Sequence, residues 1–503
     1  MGRQDEWVEH RHIIRQWWSS TPYSTWHENL VVVGRESTRA ARAYELLGCS
    51  MHIRLVGTLA PPIAPDHAHF HSSGYAFSMS AAISAMWRLM TVAALLALGW
   101  RGFAAAGPEL EPGEAFYKAG LIFPLESLHN HASCVVECPD GSLLACWYRG
   151  SGERKADDVV IMGARLPSAA GRWSTPFLMA DTPGYPDANP VMVVDPYGRL
   201  WLMWVTVLAN EWHTALLKYR TSSDWAGAGA PHWETFEVLH ITPGQAFAAT
   251  VQREFGRMEP AASPRTAADP GSIEWLERGR RLAEDKFFQR LGWMPRAHPV
   301  ILDGQRLIVP LYSDGYDFSL MAISDDWGGH WVASEPLVSA GGVQPSLVRR
   351  RDGRLVALMR DNGPPPQRVL SSESRDRGET WSPVVDSDLP DPGAGLEVIE
   401  LQSGAWLLIN NDTEKGRHQL TAALSFDEGA TWPVRRHLER AEPQDSGAFH
   451  YPSVIQSRDG TIHVTYSYFV TSPTEGAETA RAKPELKKSI KHAHFNEAWV
   501  KSR

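Results

Sequence analysis

Cysteine is scarce: four copies in 503 residues, at positions 49, 134, 138 and 146. On a single strand Cys134 and Cys138 would share a face roughly 13 Å apart, at about 3.3 Å per residue, too far for a disulfide. Neither has histidines at metal-binding spacing, so the cysteines read as small buried core residues. Excess positive charge is also lacking. Lys and Arg number 49 against 58 Asp and Glu, a net charge of −9, and nothing favours a nucleic-acid partner. The apolar run from Leu89 to Trp100 is too short for a membrane span. What the chain does have is 21 tryptophans alongside 41 glycines and 35 prolines. That combination suits short strands, tight turns and aromatic plugs between layers.

The N-terminal hundred residues do not read as one domain. Arg88, the apolar run and Ala104-Ala105-Ala106 have the layout of a secretory signal: a positive flank, a short apolar stretch and a small-residue cleavage site. Met79 and Met86 both suit a true start, which would make residues 1–78 upstream sequence read from a misplaced start. The competing reading is a genuine extension with an internal anchor. In the first reading 79–106 is a signal peptide, the mature chain begins near Gly107 without a membrane span, and the protein is periplasmic or secreted.

From His131 onward one pattern recurs: an apolar strand, an Asp-Gly-like turn and a second apolar strand. The copies are HASCVVECPDGSLLACWYR, NPVMVVDPYGRLWLMWV, HPVILDGQRLIVPLYSD, QPSLVRRRDGRLVALMRD, GLEVIELQSGAWLLINND and YPSVIQSRDGTIHVTYSY. They start near 131, 189, 298, 344, 395 and 451. Six hairpins at roughly fifty-residue spacing predict an all-β fold, a six-bladed propeller over 107–503. The double-length gap between the second and third copies predicts a helical insertion over about 226–292. There Ile273, Leu276, Leu282, Phe287 and Leu291 approximate one helical face, a cap or a lid over the propeller. The segment EAFYKAGLIF is expected to close the ring against the C-terminal KKSIKHAHF. Its alternating His492 and His494 lack carboxylates at matching spacing, so no metal site and no cofactor are assigned.

A second motif, S-x-D-x-G-x-[TH]-W, occurs as SDDWGGHW from Ser324, SRDRGETW from Ser374 and SFDEGATW from Ser425. Its Ser and Asp suit side-chain bonds to nearby backbone N–H groups, its Gly permits positive φ, and its Trp can pack between sheets. Three copies at equivalent places mark a structural staple. With the six hairpins, these motifs resemble the Asp-box (BNR) repeats of the sialidase (neuraminidase) superfamily, over roughly 115–495.

The resemblance implies a site over the propeller axis: three arginines on a substrate carboxylate, a Tyr nucleophile paired with a Glu, and an Asp acid/base. FHYPSVIQ places Tyr451 as the nucleophile, GRLVALMRD supplies Arg360, and RHQLTAALS supplies Arg417. Asp157 and Asp158 both suit the acid/base position. Two positions depart from the pattern. His131 stands where the first arginine is expected, and Gln344 where the glutamate is. Other polar groups gather at equivalent strand ends, among them Arg296, His298 and Tyr312.

Three functions follow as expectations. The first is an exported exo-α-sialidase-type hydrolase acting on an acidic sugar in glycans, held by Arg360, Arg417, His131, Gln344, Arg296 and His298. The second is a lyase or hydrolase for uronic-acid polysaccharides, with His131 or His298 moving the proton. The third is a carbohydrate-binding propeller without turnover. An acidic glycan is the expected partner of each.

Overall fold

The computed structural model describes residues 114–167, 171–258, 270–471 and 486–502. The segments 1–78 and 79–106 lie outside the described residues, and so does Cys49. The described residues form six antiparallel sheets arranged as a propeller. The inner strands of the first, second, fourth, fifth and sixth blades are His129–Glu137, Asp187–Val194, Gly342–Arg349, Glu397–Glu400 and Gly447–Gln456. In the third blade the inner edge is split into Met294–Pro295 and Val300–Leu302, both paired with Arg306–Ser313. Each hairpin read from the sequence forms the two inner strands of one blade. Their side chains are buried on both faces, as the near-continuous apolar runs require. Trp147, Trp201, Trp204 and Trp406 lie fully buried on second strands.

The sixth blade closes the ring with strands from both ends of the propeller. Tyr117–Leu121 forms its outermost strand, antiparallel to Leu486–Phe495, with Tyr117 opposite Phe495. Closure leaves the inner strands of the first and sixth blades adjacent. There Ser453 Oγ accepts the Val135 N–H at 3.0 Å.

One irregularity repeats around the ring and builds the site. The inner strands of the first, second, fourth and sixth blades each carry a bulge a few residues from their start. At each bulge one residue adopts positive φ: Ala132 (53°), Asn189 (49°), Gln344 (56°) and Tyr451 (56°). A β-bulge re-aims the side chain it carries, and left-handed non-glycine residues recur at functional positions. Four blades thus present their bulge residues at equivalent places.

The three Ser-x-Asp-x-Gly turns also share one geometry. In the middle copy Ser374 Oγ accepts the Gly378 N–H at 2.8 Å and donates to Asp376 Oδ1 at 2.8 Å, and Asp376 accepts the Thr380 N–H at 2.9 Å. The residue before each glycine, Trp327, Arg377 or Glu428, also has positive φ. Trp381 Nε1 donates back to the Gly378 carbonyl at 3.1 Å. These turns are fasteners at the foot of third strands.

The insertion is narrower than 226–292 and more broken than one helix. Thr235–Val238 is the fourth strand of the second blade. Helices follow at Phe247–Arg257, Pro270–Glu284 and Lys286–Arg290, the last capped by Asp285, whose carboxylate accepts the Phe287 N–H at 2.9 Å. Leu276 is buried, whereas Ile273 and Phe287 are exposed. The apolar face is completed by Phe247 and Phe255, which pack on Tyr316 and Phe318 of the third blade. Gly279 lies flush against Phe255, where a Cβ would stand 2.3 Å from the ring. Trp275 Nε1 donates to Asp317 at 3.2 Å, and Tyr316 Oη to the Leu282 carbonyl at 2.8 Å. These contacts make it a cap anchored on the third blade. Among the described residues no helix is long and apolar enough to cross a membrane.

Candidate active site

Tyr451 stands at the sixth-blade bulge and gathers the cluster. Its hydroxyl oxygen accepts Gln344 Nε2–H and Arg360 Nη1–H, both at 3.0 Å. The Arg296 and Arg417 guanidiniums lie 4.8 and 5.7 Å from its ring centroid. His131 stacks on the same ring at 4.3 Å and 20°. Gly395 makes this packing possible, because a Cβ there would meet Gln344 Oε1 at 2.8 Å and Tyr451 Cδ1 at 2.9 Å.

Each arginine is held differently. Arg360, at the end of the fourth blade's second strand, bonds the phenol directly. Arg417 donates to the Gly393 carbonyl at 2.7 Å. Arg296 is buried and donates to the carbonyls of Ser133 and Pro452, next to two bulge residues, at 3.3 and 3.0 Å. Three arginines therefore meet at Tyr451, although His131 replaces the arginine expected in the first blade.

Among the described residues, four buried polar atoms here have no hydrogen-bond partner: Gln344 Oε1, Arg296 Nε, Arg360 Nε and His450 Nδ1. Buried polar groups are normally satisfied, so four open positions around one phenol are available to a ligand or water. The imidazoles of His131 and His450 are held well below the usual histidine range by burial and by neighbouring histidines and arginines. Both are neutral near pH 7.

Carboxylates complete the rim. Glu153 accepts the Tyr148 hydroxyl at 2.9 Å and lies 3.3 Å from His129 Nε2. Asp314, which follows the second strand of the third blade, is pushed up to about 6 by burial and by Asp317, against the pull of Arg360. Asp391 is pushed up to about 7 by burial, although the Ala394 N–H and Arg360 favour its charged form. Tyr312, which accepts Asn189 Nδ2–H at 3.0 Å, is raised well above the usual phenol range by burial and Asp314.

The structure thus brings Tyr451, Gln344, Arg360, Arg417, Arg296 and His131 together. Asp157 and Asp158 are elsewhere on their loop and exposed. Asp157 accepts Asn210 Nδ2–H at 2.8 Å, and Asp158 accepts the Ser151 N–H at 3.0 Å. Glu153, from the same loop, is the carboxylate that meets the cluster. His298 lies two residues beyond Arg296, bound through Nδ1 to Glu397 Oε1 at 2.8 Å, with Nε2 2.8 Å from the Val135 carbonyl and 3.3 Å from Cys134 Sγ. Sequence reasoning passed over Glu153, Tyr148, Asp314 and Asp391. Asp314 had a usable signal, since YSD ends its hairpin where MRD ends the next one.

The sequence matches the family model for a BNR repeat-like domain over residues 141–255 and 247–464. The chain belongs to the BNR repeat-like family. A sialidase from Micromonospora viridifaciens is 29% identical over 187 residues, covering 35% of this chain and 25% of that protein. The chain therefore matches about a quarter of the length of this curated relative. Among solved structures, a protein of unknown function from Dyadobacter fermentans aligns with a TM-score of 0.54 at 15% identity, over 77% of this chain and all of the other. The NanB sialidase from Streptococcus pneumoniae aligns with a TM-score of 0.51 at 14% identity, over 73% and 68%. At these identities the likeness is one of fold, and it places this BNR protein among the sialidase-like propellers.

Proposed function

We propose that this BNR propeller is an exported, sialidase-type glycoside hydrolase that releases a terminal acidic sugar from glycans. One observation carries the reading: a single phenol, Tyr451, is ringed by Arg360, Arg417 and Arg296. Guanidinium forks suit a carboxylate, and a sugar acid drawn to them would lie against the phenol. A tyrosine nucleophile avoids setting a carboxylate against an anionic sugar, the exception to the two-carboxylate scheme. In this proposal Tyr451 attacks the anomeric carbon as the glycosidic bond breaks, and a water then displaces the phenol from that carbon, giving a proton to the carboxylate that protonated the leaving group. Arg360, already bonded to the phenolic oxygen, steadies it as its proton leaves to solvent. Gln344 orients the phenol but is no base. In the same proposal the leaving-group proton comes from Asp314, which follows the second strand of the third blade, interacts with Arg360 and has its carboxyl pushed up to about 6 by burial, and it takes the role expected of Asp157 or Asp158.

A second reading, β-elimination from a uronic acid, is favoured by one observation. The neutral imidazole of His131 stacks on Tyr451 while residue 344 lacks a carboxylate. The arginines would then neutralise the uronate, and His131 or Tyr451 would move the C5 proton. His298 is tied to Glu397 and has no part in this scheme.

Incubating the chain with sialosides and with uronic-acid oligosaccharides, and weighing the products, decides between the readings. Hydrolysis adds a water across the bond and elimination does not. Release of a hydrated acidic sugar that disappears in Tyr451→Phe is the expected result. Unsaturated products support elimination, and glycan binding without turnover of any substrate overturns both readings.

A further inference from the structure

Beside Tyr451, His129, His131 and Glu153 form a group that the proposed hydrolysis does not use. One ligand atom from each lies within 4.8 Å of the other two. His129 and His131 alternate on the first inner strand, so both project to the same side. Glu153 reaches them from the loop that follows the hairpin. Although His129 Nε2 is 3.3 Å from Glu153 Oε1, it makes no aligned hydrogen bond and is otherwise unpartnered. His131 binds Ser467 Oγ through Nδ1 at 2.7 Å, which leaves Nε2 as its open nitrogen.

We infer that His129, His131 and Glu153 form a divalent transition-metal site, with zinc as the fitting ion, next to the three arginines. Two imidazoles and one carboxylate are a donor set for zinc, and three protein ligands leave a coordination position open. The outer partners that such sites require are present. Ser467 fixes the His131 ring, the Tyr148 hydroxyl holds Glu153 Oε1 at 2.9 Å, and the Tyr148 ring stacks on His129 at 5.7 Å. Donors bonded to one tetrahedral ion at about 2.0–2.2 Å stand about 3.3–3.6 Å apart, a separation that His129 Nε2 and Glu153 Oε1, at 3.3 Å, already have. The open position would take a carboxylate or hydroxyl oxygen of the sugar. That last step rests on the reading of Tyr451 as part of a sugar site, whereas metal binding itself does not.

The test uses Zn²⁺ alone, without any sugar, so its result is independent of turnover. Titration of the full chain against a chromophoric chelator should show one equivalent bound. His129→Ala and Glu153→Gln should each weaken binding by about 100-fold or more, and Ser467→Ala by about tenfold, as loss of an outer partner does. A second histidine cluster, His463, His492 and His494, stacks on the ring-closing blade and is the internal control. His494→Ala should leave the affinity unchanged. If the site variants do not fold, X-ray absorption of the zinc-loaded wild-type chain answers the same question. Two imidazole nitrogens with oxygen at about 2.0–2.2 Å support the site. Absence of stoichiometric binding, binding retained by both His129→Ala and Glu153→Gln, binding lost in His494→Ala, or a sulfur-containing or imidazole-free spectrum overturns it.

Discussion

The inner strands carry two polar clusters a few residues apart, and they are finished in opposite ways. Around Glu397 the bonds close: Oε1 accepts the N–H and Nδ1 of His298, and Oε2 accepts the Val454 N–H at 2.6 Å. The other nitrogen of His298 reaches the Val135 carbonyl and Cys134. Around Tyr451, three residues before Val454 on the same strand, buried atoms of Gln344, Arg296, Arg360 and His450 remain open. An unmet buried polar atom costs about 1–3 kcal/mol, so a fold keeps several together only where something else meets them. Burial and charge alone do not separate a lock from a site. Between these two clusters, closure of the bonds is the difference.

The largest effect expected is kinetic and belongs to the open cluster. Tyr451→Phe keeps the ring that stacks on His131 and removes the oxygen that Arg360 and Gln344 bond. Turnover of the acidic-sugar substrate should fall at least about 10³-fold, about 4 kcal/mol, while the urea midpoint stays within error. Glu397→Gln should do the reverse. The amide cannot accept from both the His298 and Val454 groups, and a partner of a buried pair is lost, so stability should drop by about 3 kcal/mol with kcat retained in the folded fraction. Burial opposes the charge on Glu397, but His298 and the N–H donors hold its pKa low. Its stabilisation is therefore present above the usual 4.5 and is lost as the pH falls through the lower folded value. Burial likewise opposes the charge on His298, yet Cys134 and Glu397 raise its pKa well above 6.5. That contribution is full below 6.5 and is lost as the pH rises through the folded value. Equal stability losses in Tyr451→Phe and Glu397→Gln would erase the distinction between the clusters.

Much of this could be read from the chain because the repeat is a local signal. Hairpin period, Asp-Gly turns and the Ser-x-Asp-x-Gly motif each depend on a few neighbouring residues, and they fixed six blades in register. Register then located Tyr451, Gln344 and Arg360, which occupy recurring places at a bulge or a strand end. Loops carry no such register. Glu153, Asp157 and Asp158 share one loop, and only its path shows that the first meets His129 while the others bond Asn210 and Ser151. The same limit applies to Arg296 and His298. The third blade's inner edge is split, and two residues decide between contact with Tyr451 and capture by Glu397. The helix Phe247–Arg257 did carry a local signal, Phe247, Val251 and Phe255 at i, i+4 and i+8 on one face, but its partners Tyr316 and Phe318 are distant in sequence.

A smaller effect tests the rim of the open cluster. Asp391 is buried, and Oδ1 accepts the N–H groups of Gly393 and Ala394 at 2.6 and 2.9 Å. Its carboxyl is raised by burial from the usual 3.8 to about 7, so the folded chain holds a proton that the unfolded chain releases. Stability therefore falls as the pH rises between these values. Asp391→Asn retains the accepting oxygen and removes the charge. It should gain about 1–2 kcal/mol in urea unfolding at pH 8 and nothing near pH 3. An equal gain at both pH values would mean that the charge at Asp391 is not the cause.

The smallest expected change lies in the turns, far in role from either cluster. Ser374 is buried, and its hydroxyl both accepts the Gly378 N–H and donates to Asp376. Ser374→Ala leaves that buried N–H without a partner, which should lower stability by about 1 kcal/mol in urea unfolding and leave kcat and KM unchanged. The motif is the most conspicuous polar cluster in the sequence, yet its bonds are closed within one turn. A change in KM on its loss would show that closure of hydrogen bonds does not divide architecture from chemistry in this propeller.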